Sequence, residues 1–288
     1  MNTCLFVSDL HGKMSRYEAL FKIIKKEKPD FVFIGGDLLP HRHIHNENTQ
    51  DDTGNFIKDF LFRKFSALSD KMECTYPEVF LIPGNDDHKI LFDTVAEGEK
   101  TDLWRNLHNH CIVIGKYRFY GYACVPPTPF MIKDWERFDI SEEIGAGCIA
   151  PAEGYHSLPP DHDPKADTIQ NDLHKLVGDD NLEFGVFLFH SPPYQTVLDQ
   201  AEIMVGKSGG DTSCIPIGSK AISRFIADKK PYITMHGHVH ESARLTAEWK
   251  QSFGRTWSFS AAHDGPELAV IKFELQDPLS VSRRLIKT

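Results

Sequence analysis

The chain has 288 residues, 41% hydrophobic and 25% charged, with a net charge of −9 and a pI near 5.9. That is the composition of a globular protein with a sizeable core, and it excludes a disordered or fibrous chain. The acidic balance weighs against a nucleic-acid partner, and no apolar run reaches the length of a membrane span. The opening MNTCLFVSDLHG lacks the basic-then-apolar pattern of a signal peptide. The six cysteines (Cys4, Cys74, Cys111, Cys124, Cys148, Cys214) are scattered, with no CxxC pair. Together these features predict reduced thiols in a cytoplasmic protein.

Residues 4–7 form an apolar run that ends in Ser8-Asp9-Leu10-His11-Gly12, which reads as a first strand with Asp9 and His11 at its carboxyl end. Tyr17, Leu20, Phe21 and Ile24 recur at helical spacing over residues 15–27, with Lys22, Lys25 and Lys26 facing out. Pro29 stops that helix. Phe31, Val32, Phe33 and Ile34 then make a second strand, followed by Gly35, Gly36 and Asp37. Asp37 alone reads equally well as a turn residue or a ligand; its place past a central strand is where ligands bind in open α/β sheets.

Residues 40–55 are polar, carry His41, His43 and His45, and read as a loop. Ile57, Phe60, Leu61, Phe65 and Leu68 give a second amphipathic helix. Residues 78–82 are a third strand, with Pro83-Gly84-Asn85-Asp86-Asp87-His88 as the turn after it. This alternation of strand and helix predicts an α/β layered fold with a largely parallel inner sheet. Residues 112–114 and 117–122 read as a hairpin around Gly115-Lys116. Residues 125–165 are rich in proline, with Phe130, Trp135, Phe138 and Tyr155 between the prolines. So long an aperiodic insertion reads as a lid or specificity loop, or as a surface excursion that packs its aromatics on the core.

Residues 167–177 read as a helix and 185–189 as a strand ending in His190. A glycine-rich loop around 206–210 precedes a helix over 219–227. A strand over 231–235 ends in His236-Gly237-His238-Val239-His240. Residues 256–260, 268–275 and 280–286 alternate like antiparallel strands and are expected to close a second sheet. The whole, 1–288, is read as a single domain of two packed mixed β-sheets flanked by helices, with 125–165 as its insertion.

The residues at the strand ends are Asp9, His11, Asp37, Asn85, His190, His238 and His240. One buried histidine is most often a satisfied core group. Seven such side chains at successive strand ends would be costly to desolvate without a metal. Imidazole plus carboxylate without thiolate suits Mn, Fe, Zn or Co. In an extended segment residues i and i+2 point the same way, so Asp9 with His11, and His238 with His240, are expected to reach one site from extended backbone.

The ordered set Asp9-Leu10-His11, Gly36-Asp37, Gly84-Asn85, His190 and Gly237-His238-Val239-His240 resembles the calcineurin-like metallophosphoesterase superfamily. FHSPPYQT and HGHVHES are similar to predicted phosphoesterases related to bacterial cyclic-AMP phosphodiesterases. The resemblance implies a four-layer sandwich and two divalent metal ions (Mn2+, Fe2+/Fe3+ or Zn2+). Asp9, His11, Asp37 and His240 would hold one ion, and Asp37, Asn85, His190 and His238 the other. It further implies hydrolysis of a small phosphorylated substrate by attack of a metal-bridging hydroxide.

The sequence departs from the family pattern G-N-H-[DE] at one position. Asp86 stands where the family has a histidine that protonates the leaving group. A carboxylate beside two dications is ionised and a poor acid, although burial can raise its pKa. His88 and the loop histidines, with His41 as a substrate-binding candidate, are possible substitutes. Weak acid catalysis favours good leaving groups, and hence phosphodiesters over alkyl monoesters. The alternatives are a phosphomonoesterase and a non-catalytic metal-binding scaffold of the same fold.

Overall fold

The computed structural model describes residues 1–40, 56–205 and 211–288. Strand β1 (Thr3–Val7) leads through helix α1 (Met14–Glu27) to strand β2 (Phe31–Ile34). Every residue of β2 is buried, as is β1 from Cys4 onward, which is the pattern of a strand covered on both faces. Helix α1 buries Tyr17, Leu20, Phe21 and Ile24 and turns Lys22, Lys25 and Lys26 to solvent. It ends at Lys28, whose left-handed φ of 44° lets its N–H reach the Ile24 carbonyl before Pro29.

The second helical stretch starts with π-helical turns over Phe56–Phe62 and continues as α2 (Arg63–Met72). Strand β3 (Glu78–Leu81) follows, then helix α3 (Phe92–Glu99), then the two-residue strand β4 (Arg105–Asn106). β1, β2, β3 and β4 lie parallel in that order. The expected hairpin is present as β5 (Cys111–Ile114) and β6 (Tyr117–Tyr122), with Gly115 at φ 59° in its turn.

After the insertion come α4 (Ile169–Val177), β7 (Gly185–Phe189) and a small two-stranded ribbon, β8 (Gln200–Val205) with β9 (Asp211–Pro216). The glycine-rich stretch read at 206–210 lies outside the described residues. Then follow α5 (Lys220–Lys229), β10 (Ile233–His236), the short α6 (Ser242–Thr246), β11 (Lys250–Phe253) and β12 (Thr256–Ser260). The chain closes with β13 (Leu268–Glu274) and β14 (Asp277–Ile286).

Among the described residues two six-stranded sheets result, ordered β14-β13-β1-β2-β3-β4 and β11-β12-β10-β7-β6-β5. Phenylalanines from both meet between them. Phe119 lies 5.8 Å from Phe33 and 5.2 Å from Phe80, and Phe259 lies 5.5 Å from Phe273. α1 and α2 cover the outer face of the first sheet. Ile169, Leu173, Ile222 and Phe225 of α4 and α5 pack with Tyr120, Phe187 and Phe189 on the outer face of the second. The architecture is the expected helix–sheet–sheet–helix sandwich.

The tail corrects one expectation. β12 does join the second sheet, but β13 pairs antiparallel with β1, Cys4 opposite Phe273, so β13 and β14 extend the first sheet instead. The alternating pattern marks a half-buried strand; which edge it joins is decided by distant partners.

The insertion is sutured to the body. Trp135 and Phe138 are buried while Phe130 and Tyr155 remain exposed. Trp135 Nε1 donates to the Asp87 carbonyl at 2.6 Å. The fully buried Lys133 donates from Nζ to Glu136 Oε2 at 2.6 Å and to the Thr128 carbonyl at 2.9 Å. Asp139 accepts from Ser219 Oγ and Lys220 N, each at 2.6 Å, at the amino end of α5, where a carboxylate meets unpaired N–H groups.

Candidate metal centre

The carboxyl ends of β1, β2, β3, β7 and β10 come together on one side of the sandwich. The loops after β1 and β2 run alongside each other: Asp9 N–H donates to the Gly36 carbonyl at 3.0 Å and His11 N–H to the Asp37 carbonyl at 2.7 Å. Within the second sheet Gly237 N–H donates to the His190 carbonyl at 2.9 Å, and across the sheets His238 N–H donates to Asp9 Oδ1 at 3.0 Å. The backbone at these points is not extended. Asp9, His11, Asp37 and His238 have left-handed φ values of 57°, 47°, 51° and 72°. The side chains therefore converge because the chain turns sharply at each strand end, and not through the i, i+2 alternation of a strand. Such conformations cost roughly 1–3 kcal/mol each outside glycine and concentrate at functional sites.

One ligating atom from each of Asp9, His11, Asp37 and His240 lies within 4.8 Å of the others, a set that could hold a metal ion. His240 Nε2 is 3.3 Å from Asp9 Oδ1 and 3.2 Å from His11 Nε2. A second group adjoins it. His190 Nε2 is 3.1 Å from Asn85 Oδ1, and the rings of His190 and His238 are 5.2 Å apart. Asp37 lies between the groups, with Oδ2 3.7 Å from His11 Nε2 and Oδ1 3.5 Å from His190 Nε2. The Gly35 carbonyl, 2.7 Å from His190 Nδ1, can only accept, so Nδ1 carries the hydrogen and Nε2 faces Asp37 and Asn85.

The electrostatics follow from burial and close contacts. Burial alone would raise the Asp37 carboxyl, but the charge and hydrogen bond of His190, with His11 behind them, hold it well below the usual carboxylate range. Burial would likewise raise Asp9; the His240 contact outweighs it and holds Asp9 at about 2. Burial would lower His190, and Asp37 instead lifts it to about 10. His238 is pushed down to about 3 by burial and by the His190 charge, which leaves a lone pair available. The carboxylates are thus ready as anionic ligands.

One feature tests whether the residues suit a cation. Asp9 Oδ2 is buried and has no hydrogen-bond partner among the described residues. A buried carboxylate oxygen is costly without a proton donor or a positive ion. The donor set, histidine and carboxylate oxygen with one neutral amide, fits a divalent ion of the first transition row.

Asp86 stands beside this cluster, its Oδ2 3.7 Å from His11 Nδ1 and its N–H donating to Asp37 Oδ1 at 3.0 Å. Burial and the Asp37 charge push its carboxyl up to about 8. His88 is buried and turned toward the insertion, its ring 6.2 Å from that of Tyr155. His41, His43 and His45 lie outside the described residues.

Two buried residues not read from the sequence hold the frame. Asp87 accepts from Leu38 N at 3.0 Å, Leu39 N at 2.8 Å and Gly84 N at 2.9 Å, tying the Asp37 loop to the Asn85 loop. Its signal was in the sequence, as the acid that ends the G-N-x-[DE] segment. Arg16 clamps Asp9 from α1; a lone arginine at the start of a helix offers no comparable signal.

A two-sheet sandwich with a histidine–carboxylate cluster at its strand ends is the make-up of a phosphoesterase, a hydrolase. The model of the calcineurin-like phosphoesterase family matches residues 3–242, and the chain belongs to that family. Comparison with curated proteins gives no match. Among solved structures, TT1561 of Thermus thermophilus is similar over 99% of both chains, with 15% identity and a TM-score of 0.57. A dimetal phosphatase from Danio rerio is similar over 94% of this chain and 91% of its own, with 11% identity and a TM-score of 0.51. A putative 5′-nucleotidase from Staphylococcus aureus is similar over 99% of this chain but 54% of its own, with 14% identity and a TM-score of 0.50. At these identities the likeness is one of fold. Among the described residues no helix is long and apolar enough to cross a membrane.

Proposed function

We propose that this protein is a two-metal phosphoesterase that prefers phosphodiesters to phosphomonoesters. The observation that supports it is the division of Asp37, whose two oxygens face two different sets of ligand side chains. Asp9, His11, Asp37 and His240 would hold one ion, and Asn85, His190 and His238, with Asp37 again, would hold the second. Mn2+, Fe2+/Fe3+ and Zn2+ all suit these donors. Two such ions supply a water of lowered pKa and positive charge for the phosphoryl oxygens.

The chain's own residues set the rest. Asn85 is a neutral ligand, so Asp9 and Asp37 are the two full negative charges among the seven ligands, and the loaded centre stays positive toward a phosphate. Asp86 takes the place of the family's proton donor. With cations bound beside it, its carboxyl would be ionised at neutral pH and have no proton to give, so it would be a poorer proton donor than an imidazolium. Leaving groups that need little protonation are favoured for that reason. The six free cysteines support a reducing, cytoplasmic setting.

The test is metal analysis of the purified protein, with hydrolysis of bis-p-nitrophenyl phosphate and p-nitrophenyl phosphate in added Mn2+. Two metals per chain and faster turnover of the diester are expected. Faster turnover of the monoester reverses the preference. Bound metal without turnover of either points to a scaffold.

A further inference from the structure

His236 ends β10, two residues before His238, and is fully buried. Its ring stacks on Phe189, with centroids 5.6 Å apart and planes at 10°. Its Nδ1 is 2.9 Å from the carbonyl of Ser191, the residue after His190. A carbonyl can only accept, so Nδ1 carries the hydrogen. Its Nε2 is 2.8 Å from Thr234 Oγ1, which is 2.6 Å from Ser258 Oγ of β12. Ser191, Thr234 and Ser258 are fully buried as well. A chain of hydrogen bonds thus runs from β12 through β10 to the loop after β7.

The main chain around it shows what the ring replaces. β7 and β10 pair in parallel up to Leu188 and Met235. Beyond that point Gly237 N–H still reaches the His190 carbonyl at 2.9 Å. The next two N–H groups turn elsewhere: His238 donates to Asp9 Oδ1 at 3.0 Å, and Val239 to the Gly237 carbonyl at 2.9 Å. The Ser191 carbonyl therefore takes its hydrogen from the side chain of His236 and not from the main chain of β10. A buried carbonyl left without a donor is costly, which gives that side chain a task a phenylalanine could not perform. His240, beyond Val239, is anchored separately. Two residues after it, Ser242 Oγ donates to the Val197 carbonyl at 2.8 Å and accepts from Gln200 N at 3.1 Å.

We propose that His236 is a positioning residue that sets the spacing of His190 and His238. The inference rests on the two-metal reading and adds the residue on which the second ion's histidines depend. Both nitrogens of His236 are engaged by Ser191 and Thr234, so it is not itself a ligand. It acts at two points at once. The carbonyl it holds adjoins His190, and its own backbone leads into Gly237 and His238, whose ring lies 5.2 Å from that of His190. Without the Nδ1 hydrogen, the two segments lose one of the bonds that join them past the end of the strands. Asp9 and His11 are held by the loop after β2, so the first set of ligands does not depend on this bond.

The test is calorimetric titration of the metal-free, full-length protein with Mn2+. The wild type is expected to bind two ions. His236→Phe keeps the ring and its stacking and loses both polar contacts. It is expected to weaken one ion by about 10- to 100-fold, the usual effect of losing a residue that orients a ligand, and to leave the other within about threefold. His236→Asn places an amide N–H near the position of Nδ1 and is expected to restore most of that loss. Asn85→Ala removes a ligand of the second set alone, and His236→Phe added to it should leave the remaining ion unchanged. Thr234→Val frees Nε2 and is expected to weaken the same ion; it carries the test if His236→Phe does not fold, and wild-type affinities in it then overturn the inference. Four results with His236→Phe overturn the positioning role and leave the two-metal reading intact: wild-type affinity for both ions, equal weakening of both, no recovery in His236→Asn, or further loss on the Asn85→Ala background. A wild type that binds fewer than two ions overturns that reading and the positioning role together.

Discussion

Arg16 Nη1 donates to the main-chain carbonyl of Asp9 at 2.7 Å, and its Nη2 to the carbonyl of Gly265 at 2.6 Å. One buried guanidinium therefore fixes the left-handed turn at Asp9 against the segment after β12. Arg16→Met removes both bonds and leaves two carbonyls without these donors. Mn2+ affinity is expected to fall about 10- to 100-fold, the usual effect of losing a residue that orients a ligand. Arg16→Lys can satisfy one carbonyl and is expected to lose less. Calorimetric titration decides it: a folded Arg16→Met protein with wild-type affinity would remove Arg16 from the frame of the site.

Asp87 performs the matching task on the other side. Both of its oxygens accept backbone N–H groups from the loops that carry Asp37 and Asn85. Asp87→Asn replaces one acceptor with an NH2 group that points at a donor. The loss is expected to be about 2 kcal/mol, in the range for hydrogen bonds to a charged group. Urea unfolding of the metal-free protein measures it, and a change within experimental error would show that the two loops are held by other contacts.

Much of this candidate site can be read from the sequence because each proposed ligand follows a short apolar run, and such runs become buried strands whose carboxyl ends share one edge. A glycine is required just before Asp37: Gly36 sits at φ 100°, and a Cβ there would lie 2.5 Å from His190 Nδ1. Local pattern fails where distance along the chain decides. Nothing in residues 268–274 says that they pair with β1, since the partner is Cys4 to Phe6 at the other end of the chain. The short helix α3 has only Phe92, Val95 and Gly98 buried, too few positions to show a helical period. The left-handed turns at Asp9, His11 and His238 are imposed by bonds between loops, which no spacing rule contains.

Asp37→Asn tests the shared ligand. The amide keeps one oxygen and turns the other into a donor, so one of the two ligand sets loses its anion. Metal content is expected to fall from two ions per chain to one or none, and diester turnover by at least about 10²-fold. Elemental analysis alongside the bis-p-nitrophenyl phosphate assay reads both. Wild-type metal content and rate in this variant would refute the whole ligand assignment.

Acid should loosen the join between α1 and the tail strands. Glu27 accepts from Lys272 Nζ at 2.9 Å and Arg284 Nη1 at 2.8 Å, and its side chain is 13% exposed. Burial alone would raise its pKa; the two cations outweigh burial and hold it below 4.5. A carboxyl lowered on folding contributes stability above its unfolded value, and that contribution disappears as pH falls through the folded value. Glu27→Gln is therefore expected to cost about 1 kcal/mol at neutral pH, since both cations are partly solvated. The gap should close as the pH drops well below 4.5. Thermal melts of both proteins across pH measure it, and a gap that does not change with pH would exclude the ion pairs as its source.

Asp86 is the position where the chain differs from the family pattern, and the difference can be reversed. Asp86→His places an imidazole beside His11 and Asp37, where the family carries its proton donor. A donor matters most when the departing oxygen is strongly basic. General acid catalysis contributes about 10²–10⁴-fold. Turnover of an alkyl ester is therefore expected to rise by at least about tenfold in Asp86→His, while a nitrophenyl ester, whose leaving group needs no proton, changes little. The slope of log kcat/KM against leaving-group pKa should flatten in the histidine variant. An equal slope in both proteins would show that proton transfer to the leaving group does not limit either, and would remove Asp86 as a determinant of leaving-group preference.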